Sequence, residues 1–255
     1  MKMNMFAAMG AVLLLSTVSC KSKTEAPAEP AAPVLKMTPF DPSADFPDAA
    51  ISNMDYRDGV FKFGITGNYQ LGQQTPDAPQ KMCANSAQGQ HIHLIIDNKP
   101  YEAKYEAEFP YKVEDGSHYV LAFLSRSYHE SIKSPKASVL IKAEIKDSSF
   151  KKLEPVSEPM VFYSRPKGAY VGEDTKKVML DFYLANCRLG DAYKVKAEIN
   201  GQEMMIDTWQ PYYLEGLPMG ENKIKLTLVD STGAAVNSPL NPVERTFSLS
   251  AEPGK

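Results

Sequence analysis

Cysteine is scarce in this sequence. Only Cys20, Cys83 and Cys187 occur in 255 residues, which excludes a disulfide-dense scaffold and a multi-cysteine zinc module. Tryptophan occurs once and histidine four times, so imidazole chemistry has few positions to act from. An excess of positive charge is also missing. Lys and Arg total 28 against 31 Asp and Glu, with a pI of about 5.9, and that balance argues against a nucleic-acid partner. Past residue 20 no apolar run approaches the ~20 residues a membrane-spanning helix needs. There is no HExxH, nucleophile elbow or glycine-rich phosphate loop. His129 beside Glu130, among many serines, is too common a combination to mark a serine hydrolase. The expectation is a protein that is not an enzyme.

What is present begins at the first residues, MKMNMFAAMGAVLLLSTVSC. Lys2 and the short apolar run from Met5 to Val18 have the form of an export signal over residues 1–19. The ending Thr17-Val18-Ser19-Cys20 resembles a bacterial lipobox, in which the Cys after a small residue is acylated, with chains such as palmitate, and becomes the first mature residue. By that resemblance, Lys21 after the Cys directs the protein to the outer membrane, facing the periplasm or the cell surface. The alternative is an ordinary signal peptide with Cys20 incidental. Several acyl chains on one residue anchor stably where one does not.

Residues 20–45 then form a tether. Its first part, KSKTEAPAEPAAPV, is too rich in Ala, Pro and Glu to bury a core, and at ~3.1 Å per residue it spans on the order of 40 Å. The remaining chain suits two domains of about 100 residues. Val60 to Ile65, His91 to Asp97, Val120 to Leu124 and Val139 to Ile145 alternate with period two, as do Val178 to Leu184, Lys194 to Ile199, Lys223 to Val229 and Val243 to Leu249. Each run is bounded by Gly, Pro, Asn or Asp, which reads as short strands with no amphipathic helix. The expected fold is all-β, with two tandem immunoglobulin/fibronectin-III-like β-sandwiches at 46–147 and 160–250, joined by a linker at 148–159. If they stack end to end, Cys83 and Cys187 lie too far apart to form a disulfide.

The two halves echo each other. Ile96-Asp97-Asn98, Pro110-Tyr111 and Gly116-Ser117-His118 recur in order as Ile199-Asn200-Gly201, Pro211-Tyr212 and Gly220-Glu221-Asn222, which indicates one plan used twice. The runs GQHIHLIIDNKPY, GSHYVLAF, SRSYHESIK, VMLDFYL and GLPMGEN resemble a family of two-domain bacterial lipoproteins with immunoglobulin-like folds. That resemblance implies a fold and a cell-envelope location, with no settled activity. HIHLIID also resembles an exported-protein pattern in which a His pair precedes LID.

In such a sandwich His91 to Asp97 is strand C and Tyr119 to Leu124 is strand F, antiparallel neighbours. Alternation turns Ile92, Leu94 and Ile96 inward and places His91 and His93 together on the outer face, about 7 Å apart along the backbone. His129 lies in the loop after strand F, at the same pole. Met82 and Cys83 lie in the loop before strand C, also at that pole. His91, His93, His129, Cys83 and Met82 are therefore candidate ligands for copper or zinc, with affinity falling as free imidazole protonates near pH ~6.5. The alternatives are structural or solvated histidines, and an anionic or small-molecule contact that uses Arg126 and His129. His118, at the opposite pole, is excluded.

Tyr119, Leu121 and Phe123 leave the outer face of strand F apolar, which demands cover or marks an interaction surface that includes Arg126. Met37, Phe40 and Phe46 are candidate cover. Lys194, Lys196, Lys223 and Lys225 read as a solvated face. The leading functional expectation is a non-enzymatic outer-membrane lipoprotein that binds an unidentified protein or small ligand. The second is copper or zinc binding through the histidines. Cys20→Ser is expected to leave the membrane fraction and to lose fatty-acid labelling. A variant that stays membrane-bound and labelled refutes the anchor.

Overall fold

Alternating sequence becomes seventeen strands in the computed structural model, which describes residues 34–252. The signal segment, Cys20 and the tether up to residue 33 lie outside the described residues. Strands are numbered in chain order. The first sandwich pairs a sheet of β2 (Ala50–Arg57), β3 (Val60–Thr66) and β6 (Glu108–Pro110) with a five-stranded sheet. The latter runs in the order β5 (Glu102–Lys104), β4 (His91–Ile96), β7 (Gly116–Ser125), β8 (Ser138–Lys146) and β9 (Ser149–Pro155). The second sandwich has one sheet of β1 (Lys36–Pro39), β15 (Tyr212–Glu215), β12 (Val178–Ala185) and β10 (Met160–Arg165). Its other sheet runs β11 (Gly168–Val171), β17 (Val243–Ser250), β16 (Gly220–Asp230), β13 (Tyr193–Ile199) and β14 (Gln202–Ile206). Among the described residues, the only helices are short 3₁₀ turns, and no helix is long and apolar enough to cross a membrane.

The internal echo is realised bond for bond. Asp97 and Asn98 both take positive φ in the β4–β5 turn, and Asn200 and Gly201 do so in the β13–β14 turn, the geometry that two-residue hairpins select. Asp97 Oδ1 accepts from Tyr119 N at 2.9 Å, and Asn200 Oδ1 accepts from Lys223 N at 2.8 Å. Asp97 also meets His118 at 2.6 Å, where Asn200 meets Asn222 at 2.7 Å. The small polar residue closing the hairpin thus ties it to the neighbouring long strand in both domains.

Parity holds as expected. Ile92, Leu94, Ile96, Val120, Ala122 and Leu124 face the first core, while Val195, Ala197 and Ile199 face the second. The domains, however, are not end to end. The outer face of β4 and β7 is covered by the outer face of β10 and β12. Ile95, Leu121 and Phe123 pack with Met160, Phe162 and Tyr183 in a third apolar layer, and Phe123 stacks on Tyr183 with centroids 5.0 Å apart. β4 and β10 are buried along their whole length for this reason. Four sheets therefore stack around three apolar layers.

This arrangement corrects several sequence expectations. Leu121 and Phe123 are not an interaction surface, because the second sandwich consumes them, and Tyr119 is half-buried. Arg126 is buried too, donating to the carbonyls of Ala44 and Ser131. The segment Met37 to Phe46 is not the cover either. β1 pairs with β15 and sends Met37 to the second core, Phe40 packs with Tyr128, Met179 and Tyr213, and Phe46 enters the first core. Residues 149–155, read as linker, extend the first sandwich as β9 against β8. Cys83 and Cys187 are both free thiols, in a face-to-face arrangement and not an extended one. The lysine face of the second domain lies at the surface, where Lys196 pairs with Glu203, Lys223 with Glu244 and Lys225 with Glu198.

Two polar contacts lock the layers. Asn98, in the first domain's turn, donates to Val161 O and accepts from Tyr163 N, both at 2.9 Å. It pairs with the free edge of β10 as another strand would, satisfying one carbonyl and one amide of that edge. Asp181, fully buried on β12, accepts from Ser131 N, Ser131 Oγ and Lys133 Nζ of the first domain. Asn98→Ala would strand two buried backbone groups, each costing about 1–3 kcal/mol. It should lower the denaturant midpoint while keeping one cooperative transition. An unchanged midpoint would remove Asn98 from the interface's account.

Candidate metal centre

The start of β4 lies beside the end of β7, with His91 opposite Ser125 and His93 opposite Phe123. The Tyr69 hydroxyl sits between the carbonyls of His91 and Ser125, 3.1 and 2.7 Å away, and fixes this corner. The chain then turns back at once, with His129 N donating to Arg126 O and Arg126 N to Glu130 O. His129 takes φ of +69° in this turn. A side chain seldom adopts that conformation unless its surroundings enforce it. Here the turn brings the imidazole against the strand pair: His129 lies 4.6 Å from His91 and 5.9 Å from His93, centroid to centroid. One nitrogen from each of the three rings falls within 4.8 Å of the others.

The outward nitrogens are anchored. His91 Nδ1 meets Gly89 O at 2.8 Å, and His93 Nδ1 meets Ser164 Oγ at 3.2 Å. Their Nε2 atoms consequently face each other at 2.9 Å. Without an ion, a consistent proton arrangement is Ser164 O–H to His93 Nδ1, His93 Nε2–H to His91 Nε2, and His91 Nδ1–H to Gly89 O. With an ion between the Nε2 atoms, His93 carries its proton on Nδ1 and donates to Ser164. Oxygen partners on the outer nitrogens are the orientation that metal-binding histidines require. Tetrahedral bonds of ~2.0–2.1 Å need nitrogens about 3.3 Å apart, so the pair must open by only a few tenths of an ångström.

His91 and His93 are fully buried and His129 half-buried. Burial pushes His91 down to about 4, and it holds His93 and His129 well below the usual histidine range, with Arg165 and Lys167 adding repulsion. All three rings are therefore neutral at physiological pH, with lone pairs free for a ligand. The onset of proton competition, expected from free imidazole near pH ~6.5, is displaced downward accordingly.

The proposed sulfur ligands are not there. Met82 is 65% exposed. Cys83 packs against the Phe40, Tyr128, Met179 and Tyr213 cluster, and burial pushes its thiol up to about 12, far from a thiolate. His118 is engaged with Asp97 and Glu114 O, apart from the cluster as expected. Residues not singled out in the sequence complete the surroundings. Tyr101 stacks flat on His93, with centroids 3.6 Å apart at 7°, and its hydroxyl lies 3.3 Å from His129 Nδ1. Tyr105 lies against His91. β5 pairs antiparallel with β4, with Ala103 opposite His93, so alternation along Tyr101-Glu102-Ala103-Lys104-Tyr105 carried a signal for both tyrosines. Ser164 and Arg165 arrive from the second domain and have no local signal.

No family model and no curated protein matches this chain. Among solved structures, the fibronectin(III)-like modules of Clostridium thermocellum CbhA are similar, with 17% identity over 36% of this chain and 98% of theirs at a TM-score of 0.29. A Ca2+-stabilized adhesin that helps an Antarctic bacterium bind ice shares 12% identity over 80% of this chain and 50% of its own, at a TM-score of 0.23. A 1.5-MDa bacterial ice-binding adhesin shares 10% over 75% and 57%, at 0.22. The chain thus spans only about half the length of the two adhesin chains. The likeness is one of β-sandwich fold, and scores this low carry nothing about ligand or activity.

The depressed histidines make the metal-free fold sensitive to acid. His91 titrates at about 4 when folded against 6.5 for the free group. Between those values the unfolded chain binds more protons, so stability is complete above the unfolded value and falls as pH drops through that window. The slope is about 1.4 kcal/mol per pH unit for each such histidine. Urea midpoints of metal-free protein should fall from about pH 7 to about pH 5, and His91→Asn should flatten the profile. A wild-type profile level over that range contradicts the burial argument.

Proposed function

We propose that this chain is a lipid-anchored, extracytoplasmic binding protein of the outer membrane whose ligand is one copper or zinc ion held by His91, His93 and His129. The observation that carries this reading is the convergence of three neutral imidazole nitrogens within 4.8 Å, two of them oriented by oxygen contacts on the opposite side of the ring. Nitrogen donors of this kind suit copper and zinc. The cluster holds no carboxylate, and calcium or magnesium requires oxygen ligands. A macromolecular partner docking on the outer face of β4 and β7 is disfavoured, because Ile95, Leu121 and Phe123 are completely covered. The reading is one of binding. The lipobox resemblance at Cys20 supports the anchor and the export.

Purified mature protein should take up one equivalent of Cu(I) or Zn(II) in chelator-competition titrations. His91→Ala or His129→Ala should reduce affinity by at least about 10-fold, the smallest loss that removing a ligand's support brings, while His118→Ala should not. If the triple variant His91→Ala, His93→Ala, His129→Ala binds as tightly as wild type, the cluster is a structural hydrogen-bond network and the metal reading fails.

A further inference from the structure

Beside the histidines sit two cations that lack a carboxylate. Arg165, at the end of β10, is 6% exposed. Its Nε and Nη2 donate to the Tyr170 hydroxyl at 3.2 and 2.7 Å, and its Nη1 donates to the Tyr101 hydroxyl at 3.2 Å. Both acceptors are neutral. Lys167 donates to the Tyr101 carbonyl oxygen and lies 4.0 Å from the centroid of the same tyrosine's ring. Among the described residues neither cation forms an ion pair. The buried carboxylates nearby are already engaged, Asp181 with Lys133 at 2.9 Å and Glu130 with Arg126 at 3.5 Å. Glu102 acts on Lys167 only from a distance. A buried cation with no counter-charge is costly.

These cations also oppose any metal. Tyr101 joins the groups directly, since its hydroxyl touches both Arg165 and His129 and its ring covers His93. Three neutral imidazoles leave an ion's charge undiminished, and like charges at short range in a low-dielectric interior repel strongly. Three protein ligands also leave a fourth position open. A guanidinium has five N–H groups, and three of them are used here, so two remain. Guanidinium N–H donors bind oxyanions well, and a planar carboxylate can place one oxygen on these donors and the other on a metal. His129 and Lys167, both half-buried, mark the side on which the cluster meets solvent.

We infer that the site binds its metal together with a small carboxylate anion, which fills the open coordination position with one oxygen while Arg165, supported by Lys167, holds the other. This rests on the metal reading above. Metal and carboxylate then bind as a pair, since the anion offsets the positive charge that hinders the metal and the metal adds positive charge that draws the anion. Metal and anion therefore bind with positive coupling.

Co(II) is a suitable probe, because its visible absorption reports the ligand set directly. Wild-type protein would be titrated with Co(II) in sulfonate buffer containing perchlorate, then with acetate or with chloride added. Acetate should tighten Co(II) binding by about 10-fold or more, within the usual range of coupling, and change the absorption spectrum. Chloride should do so markedly less. Arg165→Met should bind Co(II) more tightly than wild type without acetate, and should lose the acetate effect. Lys167→Met, at a half-buried position, should shift both quantities in the same directions and covers the case in which Arg165→Met does not fold. Equal affinity with and without acetate, an acetate effect that survives in both variants, or a chloride effect equal to that of acetate overturns the carboxylate assignment while leaving the metal reading standing. Wild-type protein that binds no Co(II), Zn(II) or Cu(I) under any of these conditions overturns both.

Discussion

The structure depends on covering the outer face of β4 and β7. Ile95, Leu121 and Phe123 project from the side of that sheet opposite its own core. Fully burying one side chain of this kind is worth about 1.5–3 kcal/mol, so leaving the face in water would forfeit a substantial fraction of a small domain's stability. The second sandwich removes the problem by laying Met160, Phe162 and Tyr183 on it. Three features of the molecule follow from that contact. β10 becomes a buried edge that Asn98 must pair, Asp181 becomes a buried charge that Lys133 must offset, and the histidines of the same face are closed in.

The closure changes the chemistry of the histidines. On an open strand His91 and His93 would be solvated and partly protonated near neutrality. Beneath β10 they are neutral and held by fixed oxygens, with Tyr101 stacked on His93 and Tyr105 against His91. The second domain also contributes Ser164 and Arg165 through consecutive positions of one strand, so the hydrogen-bond partner of His93 and one of the charges that add to burial in repelling its proton come from the same element. The histidine cluster is thus a property of the domain interface. Loosening the interface would change ring orientation, proton affinity and charge balance together.

The duplicated plan shows where the domains diverged. Both keep the hairpin turn and the side-chain bond from Asp97 or Asn200 to the following long strand. The outer strand faces differ completely. Lys223, Lys225 and Glu198 pair in water on the second domain, where Tyr119, Leu121 and Ile95 stand on the first. The same backbone thereby offers one face to solvent and one to a neighbour. Only the buried one carries the histidine cluster.

Period-two alternation, with turn residues between the runs, determined by itself that this chain is a β protein of two sandwiches. Strict parity along β4 determined that His91 and His93 share a face with Ile95. The antiparallel pairing of strands C and F was enough to bring His129 to the same pole, because a strand's start must lie beside its neighbour's end. The sequence alone did not decide what that face meets. Apolar residues at 95, 121 and 123 demand cover, but burial energy is non-directional and does not name the covering element. Met37, Phe40 and Phe46 looked equally able, and each proved to be committed to a different apolar cluster. Met82 and Cys83 failed as ligands because loop conformation, unlike strand parity, has no period from which direction can be read. Arg165 and Ser164 lie more than 70 residues from His93 in the chain, and only the docking of one sandwich on the other places their donors and charge over its ring.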